Sequence, residues 1–280
     1  MSDTDRKTVL ITGSGSGLGR AARLLFDERG WNIASTSRTL TTEHTAAGSE
    51  SVLVLPLDVR DPVAVSAALA ATVTRFGRVD CVVNNAGAGL FSVFEATPMA
   101  VVRDLFDINV FGLMQVTQAA VPYFRDGGGG RLINLSSGAA IVPEPLMSVY
   151  AATKFAVEGF TESVRYELAG ENVMVALIEP GLVTGTGFLP RTAELSASMK
   201  VPPRYQNLVE QMAAVWQRPS PYRLATTSAV AEAILAAATD EPPRLRYVVG
   251  ADAQTSARMR RQTSEPEYDA WATARYPVPA

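Results

Sequence analysis

The sequence predicts an α/β fold, a doubly wound parallel sheet of about seven strands with helices on both faces. Two observations carry that expectation. Short, nearly continuous apolar runs alternate with helical patterns along the chain, as in strands covered on both faces. The first of these runs passes directly through a glycine-rich turn into a helix, the beginning of a βαβ unit that binds phosphate at a helix N-terminus. With 280 residues, 47% of them hydrophobic, the chain has enough apolar material for one undivided domain of this class.

Taken in order, the strand-like runs are residues 8–12, 32–37, 52–55, 79–83, 132–135, 173–178 and 244–249. Helical patterns fall at 19–29, 62–76, 99–125, 149–169 and 227–239, and Asp61-Pro62 supplies an N-cap and first-turn pair for the second of these. Strands separated by helices imply right-handed crossovers, with ligands beyond the carboxyl ends of the strands. Residues 182–225 break the rhythm with five prolines (Pro190, Pro202, Pro203, Pro219 and Pro221) and apolar Met199, Tyr205, Leu208, Met212 and Trp216. They read as a lid-like insertion within a single domain, 1–250, or as a helical excursion packed on the body or on another subunit. Residues 251–280 read as a polar, Arg-bearing tail that ends with Trp271 and Tyr276.

Composition excludes several functions. The formal net charge is −3, which offers no footprint for nucleic acid or anionic membrane. Apolar stretches are interrupted well before the roughly 18 residues of a membrane span. The acidic, polar first residues do not resemble a secretion signal, and the one cysteine, Cys81, lies in a strand pattern as inert core. A cytoplasmic protein is expected. The one histidine, His44, reads as part of a polar loop, so neither a two-histidine metal site nor a histidine base in a packed site is expected. No metal is expected.

Tyr150 and Lys154 are the most informative pair. Four residues apart on a helix, a phenol and an ammonium share one face. A free phenol has a pKa of about 10, and a cation within a few ångströms lowers it by roughly 1–3, which suits a general acid/base for carbonyl–alcohol interconversion. Lysine occurs only at 7, 154 and 200. About 0.1 accidental Tyr-x-x-x-Lys matches are then expected, too many to stand alone. The glycine turn agrees with the pair, although its register is Thr12-Gly13-x-x-x-Gly17-x-Gly19, with Leu18 and Arg20 where the usual dinucleotide fingerprint has glycine. Ser136 and Ser137 end the fifth strand, and either hydroxyl could face a substrate.

Together with Asn84-Asn85-Ala86-Gly87, Asn109, Ser137 and Pro180-Gly181, in this order over about residues 8–185, these motifs resemble the short-chain dehydrogenase/reductase family of Rossmann-type folds. The resemblance implies a catalytic group of Asn109, Ser137, Tyr150 and Lys154. The family's spacing, which puts its serine thirteen residues before the tyrosine, implies Ser137 as the one that donates to the substrate oxygen. Tyr150 exchanges the proton, so Ser137 and Tyr150 are the substrate contacts. Lys154 favours phenolate and holds the nicotinamide ribose, and Asn109 holds a water linking the lysine to solvent. Coenzyme contacts are implied at Gly13, Ser14, Ser16, Gly17, Leu18, Gly19, Ser37, Arg38, Asp58, Val59, Asn85, Ala86, Gly87, Tyr150, Lys154, Pro180, Gly181, Val183 and Thr184.

One departure stands out. Gly185 occupies the place of the family's threonine five positions after the proline, with Thr184 and Thr186 on either side. A hydroxyl and a guanidinium at Ser37-Arg38, where a carboxylate would bind ribose hydroxyls, favour NADP(H) over NAD(H). Ala139, Ile141, Val142, Pro143, Leu146 and Met147 are expected to wall an apolar cleft, with Phe188, Met212 and Trp216 as cover. The expected reaction is therefore NADP(H)-dependent interconversion of a carbonyl and an alcohol on an apolar small molecule. A non-catalytic nucleotide-binding regulator and an epimerase or dehydratase with bound nucleotide are the alternatives. Apolar Phe111, Leu113, Met114, Phe155, Phe160 and Val164 on the two long helices suggest a homodimer or homotetramer.

Overall fold

The computed structural model describes residues 6–276 except 47, 198 and 219. Seven parallel strands form its main sheet. β1 (Thr8–Ile11) leads into α1 (Gly17–Glu28), β2 (Asn32–Ser37), the short α2 (Thr42–Ala46), β3 (Val52–Pro56), α3 (Pro62–Phe76) and β4 (Cys81–Asn84). α4 (Met99–Phe106) and α5 (Gly112–Asp126) precede β5 (Gly130–Leu135), and α6 (Ser148–Ala169) precedes β6 (Val173–Pro180). The order across the sheet is β3-β2-β1-β4-β5-β6, closed by a last strand, Arg246–Val249. Strand order therefore reverses between β1 and β4, the crevice where a doubly wound sheet binds its ligand.

Each face of the sheet has its own core. One packs α1 through Ala22 and Phe26, with Val230, Ile234 and Leu235, on Val9, Ile11 and Ile33. The other packs Val65, Leu69, Val116, Phe124 and Val164 on Leu10, Val82 and Leu132. Alternating strand residues thus feed opposite cores, as the pleat requires. Asp61 caps α3 by accepting from the amides of Val63 and Ala64, and Gly77 ends it in the left-handed conformation. Cys81 is fully buried in β4.

The pattern at 99–125 hides a break. Between α4 and α5, residues Asp107–Phe111 form a π turn. Gly112 follows because a Cβ there would lie 2.5 Å from Val59 Cγ2. The extra residue in the turn re-aims Asn109, and π turns of this kind cluster at functional sites.

Residues 182–225 contain two small parallel strands, β7 (Val183–Thr184) and β8 (Ala225–Thr226), with α7 (Phe188–Ala197) and α8 (Gln206–Gln217) between them. α9 (Thr227–Thr239) then returns the chain to β9 (Arg246–Val249). Beyond Gly250 the expected tail is folded into α10 (Ala251–Gln262) and α11 (Glu265–Arg275). Charge and apolar packing hold it. Fully buried Glu179 of β6 accepts from Arg246 at 3.2 Å and from Arg261 of α10, while Arg246 also meets Glu158 at 3.0 Å. Tyr268 and Trp271 of α11 pack with Ile141 and Val142. Isolated charges and polar composition concealed this anchoring from the sequence. Among the described residues no helix is long and apolar enough to cross a membrane.

Candidate active site

The glycine turn is braced from behind by β4. Thr12 Oγ1 accepts from the amides of Asn85 and Ala86, both at 3.0 Å, and donates to the Val83 carbonyl. Asn85 Nδ2 donates to the carbonyls of Thr12 and Gly13 at 2.8 and 3.1 Å. Gly13 and Gly17 are left-handed, and a Cβ on Gly19 would sit 2.5 Å from Gly13 O. Only glycine fits there, which is why that register is glycine. Leu18 packs on the neighbouring core, and Ser14 is fully buried, its hydroxyl donating to Thr36 O. Ser14 can therefore offer a ligand its backbone alone, while Ser16 stays exposed at the start of α1.

At the end of β2, Ser37 Oγ donates to Thr39 O, and exposed Arg38 makes no ion pair among the described residues. The Asp58 carboxylate is gripped by Arg60 at 2.6 Å, and those hydrogen bonds hold its pKa below the usual range. Val59 O accepts from Gln115. His44, read from the sequence as loop, is instead 2% exposed in α2, because the helix turns it beneath the glycine turn.

Tyr150 and Lys154 sit in α6 at the far side of the crevice. Lys154 Nζ donates to Leu135 O at 2.8 Å and lies 5.8 Å from the centre of the Tyr150 ring. Ser137 begins a short turn, Gly138–Ala140, and its Oγ accepts from the Ala139 amide. The Ser137 hydroxyl hydrogen-bonds the Tyr150 phenol and pulls its pKa down, but burial pushes it up more strongly, to about 12. Burial also lowers Lys154, to about 8, against the attraction of Glu158. The expected depression of the phenol by the ammonium is thus overturned. Both groups are buried, and desolvation disfavours the charged form of each.

Asn109 is brought to the same place, its side-chain amide hydrogen-bonded at both ends. Nδ2 donates to Ala88 O at 2.9 Å and Thr153 Oγ1 at 3.0 Å, and Oδ1 accepts from the Ala88 amide. Gly87 lies between, where a Cβ would be 3.2 Å from Asn109 Oδ1 and 3.9 Å from Lys154 Nζ. Pro180 and Gly181 end β6 beside Gly138. Val183 pairs with Ala225 in β7, and Thr184 Oγ1 turns toward Ala225 O. Thr186, by contrast, faces Gly17, so Thr186 rather than Thr184 stands nearest the glycine turn.

α7 covers the tyrosine. The rings of Phe188 and Tyr150 are 5.6 Å apart, and a Cβ at Gly89 would overlap Phe188 and Thr192. Ala139 and Met147 line this apolar cluster with Leu90 and Leu105. Ile141 and Val142 do not, contrary to the expected wall, because α10 and α11 take them. Met212 is fully buried, and Trp216 stacks on Phe91 with its Nε1 donating to Glu144. Arg191, unnoticed in the sequence, reaches from α7 to Ser16 Oγ at 3.4 Å. Its position one turn past Phe188 was the only available signal.

A dinucleotide fits this arrangement. The turn is stripped of side chains where a pyrophosphate would lie, and the Arg191 guanidinium beside it and the exposed Arg38 at the end of β2 make no ion pair among the described residues. No group of three or more metal-ligating His, Cys, Asp or Glu side chains occurs among the described residues.

Residues 7–195 match the model of the short chain dehydrogenase family. The chain is 38% identical over 179 residues to an uncharacterized oxidoreductase of Schizosaccharomyces pombe, covering 62% of this chain and 60% of that one. It is 36% identical over 192 residues to retinol dehydrogenase 8 of Bos taurus, covering 65% and 61%. The match thus spans about three fifths of each relative's own length. A short-chain dehydrogenase from Streptomyces avermitilis superposes with a TM-score of 0.80 at 29% identity over 96% of this chain and 97% of that one. The closed form of a serine dehydrogenase complexed with NADP+ gives 0.73 at 27% identity over 88% and 96%. The chain belongs to the short chain dehydrogenase family.

Proposed function

We propose that the protein is an NADP(H)-dependent oxidoreductase that interconverts a carbonyl and a primary or secondary alcohol on an apolar small molecule. The observation that carries the reading is the convergence of the Ser137, Tyr150 and Lys154 side chains under an apolar cover. The coenzyme supplies or accepts the hydride. Ser137 and Tyr150 hold the substrate oxygen between two hydroxyls, where negative charge builds up during reduction. Tyr150, kept protonated by burial, gives its proton to that oxygen, and Lys154 stabilises the phenolate left behind. Phe188, Ala139 and Met147 favour an apolar substrate and exclude water.

Preference for NADP(H) is supported by Arg38, an exposed cation at the end of β2, and by the NADP+ complex of the serine dehydrogenase. Assembly into a homodimer or homotetramer is supported by Phe111 and Phe155, which are 53% and 41% exposed on the helices flanking the sheet. Leu113 and Val164 of the same helices are buried within the chain and contribute nothing to that argument. Light scattering at micromolar concentration tests it, and a monomer would refute it. A cytoplasmic site of action is in keeping with the single, buried cysteine. The function itself is tested by screening apolar ketones, aldehydes and alcohols for coenzyme turnover. No turnover across a broad panel, by a protein that binds NADPH, would contradict the reading.

A further inference from the structure

His44 is the only histidine in the chain, and its hydrogen bonding is incomplete in a way that points to a ligand. Its Nε2 lies 2.8 Å from Ser35 Oγ, which lies 2.8 Å from Ser14 Oγ. Ser14 Oγ donates to Thr36 O at 3.2 Å. That last bond sets the direction of the row. With its proton on Thr36, Ser14 accepts from Ser35, and Ser35 accepts from Nε2–H. Neutral His44 therefore carries its proton on Nε2, and Nδ1 is a bare acceptor. Nδ1 is buried and has no hydrogen-bond partner among the described residues. It faces the glycine turn: a Cβ on Gly15 would lie 3.2 Å from Nδ1 and 3.2 Å from Ser37 Oγ. A histidine serving only as packing has no reason to aim a bare ring nitrogen at this spot, since an unmet buried acceptor costs about 1–3 kcal/mol.

We propose that His44, through Nδ1, reads the ribose 2′-phosphate of the coenzyme beside Ser37 and Arg38, donating to it when protonated and making NADP(H) binding proton-linked. The inference rests on the NADP(H) reading above. The charged group that acts on the ring is Arg23 of α1; Glu43, the residue before His44 in α2, is paired by Arg20 at 2.6 Å, and Arg38 follows Ser37 at the end of β2. Burial and the Arg23 charge hold His44 below its ordinary value of 6.5, so the ring is neutral near pH 7 without an anion beside it. A phosphate there favours the protonated ring and supplies the acceptor that Nδ1–H requires. Protonation at Nδ1 leaves the Nε2–Ser35 bond in place, so the buried row is kept and the movement that admits the phosphate to Nδ1 falls on the glycine turn at Gly15.

The sign follows from linkage. Protonated His44 binds the phosphate more tightly, so its contribution is complete below the pKa of the free protein and is lost as pH rises through that of the complex. Nuclear magnetic resonance of the untagged protein reports this one ring without overlap. NADP+ should raise the His44 pKa by about one pH unit or more, while NAD+, lacking the phosphate, should not raise it. By reciprocity, the NADP+ to NAD+ affinity ratio should fall about tenfold between pH values well below and well above the transition.

The phosphate itself titrates near pH 6, in the opposite sense, so His44→Gln serves as reference. Glutamine keeps a donor for Ser35 and removes Nδ1, and the variant should lose the tenfold fall. Calorimetry run alongside separates two failures. If NADP+ binds and the wild-type His44 pKa does not rise, this proposal is overturned and the coenzyme reading stands. If neither coenzyme binds, both fall.

Discussion

At the β1–β2 end of the crevice the protein presents backbone, held in place by a lattice of hydrogen bonds from Thr12 and Asn85. At the β5–β6 end it presents side chains, with Tyr150 enclosed by Phe188, Met147 and Leu90 from separate segments. The difference suits two kinds of ligand. A pyrophosphate needs close approach and fixed N–H dipoles, which glycine supplies. A carbonyl needs a dry pocket in which a phenol stays protonated until charge develops on oxygen.

The largest expected effect lies at the side-chain end. Tyr150→Phe removes the proton donor and leaves the glycine turn untouched, so turnover should drop about 10²–10⁴-fold. NADPH affinity, read by its fluorescence, should stay near wild type. Comparable loss of coenzyme binding would mean that the two ends are not separable.

Next in size is coenzyme choice at the backbone end. A charge-assisted pair to a 2′-phosphate is worth about 1.5–3 kcal/mol, roughly 10- to 150-fold in affinity. Ser37→Asp with Arg38→Leu adds repulsion as well as removing attraction, so the ratio of kcat/KM for NADPH over NADH should invert. A wild-type enzyme that already prefers NADH would reduce Arg38 to a solvated surface residue.

Lys154 sharpens the contrast through stability. Burial lowers its pKa to about 8, so the charged form is disfavoured in the folded protein relative to the unfolded chain. From about pH 8 to its ordinary value near 10.4 the unfolded chain binds more protons, and wild-type stability gains from this residue as pH rises. Lys154→Met should therefore be inactive and bind coenzyme weakly, yet be at least as stable to urea as wild type at pH 7. Its relative advantage should shrink by pH 10. A variant markedly less stable at pH 7 would show that the ammonium's bond to Leu135 O outweighs its desolvation.

The smallest effect concerns the cover. Gly89→Ala drives a methyl group into Phe188 and Thr192, an overpacking of about 1–3 kcal/mol that α7 can relieve by moving away. Faster proteolysis within residues 186–200, with a raised KM, is the expected outcome. An unchanged cleavage pattern would mean that α7 does not respond as a lid.

The two ends also differ in how much of them the sequence disclosed. Strands and glycine register at the coenzyme end follow from local patterns, because Gly13 and Gly17 take left-handed backbone and Gly19 must clear Gly13 O and Ser14 Cα in the same turn. Tyr150 and Lys154 were legible for the same reason, sharing one turn of α6. The cover was less so. Phe188 is legible only as a candidate, and Ile141 and Val142 read as cleft wall because their partners lie more than a hundred residues on, in α10 and α11. The π turn that aims Asn109 and the burial of His44 leave no periodic trace, since both arise from tertiary packing. Burial likewise reversed the expected direction of the Tyr150 pKa, a quantity that one-turn spacing cannot supply.

The central claim is that hydride from NADPH and a proton from Tyr150 go to the same carbonyl. It is tested most directly by following NADPH absorbance against alcohol product, with an apolar ketone or aldehyde accepted by the wild-type enzyme, in wild type and Tyr150→Phe. The account predicts one NADPH consumed per alcohol formed by the wild type, and near-complete loss of both in the variant. Product formed without NADPH consumption, or a variant as fast as wild type, would contradict it.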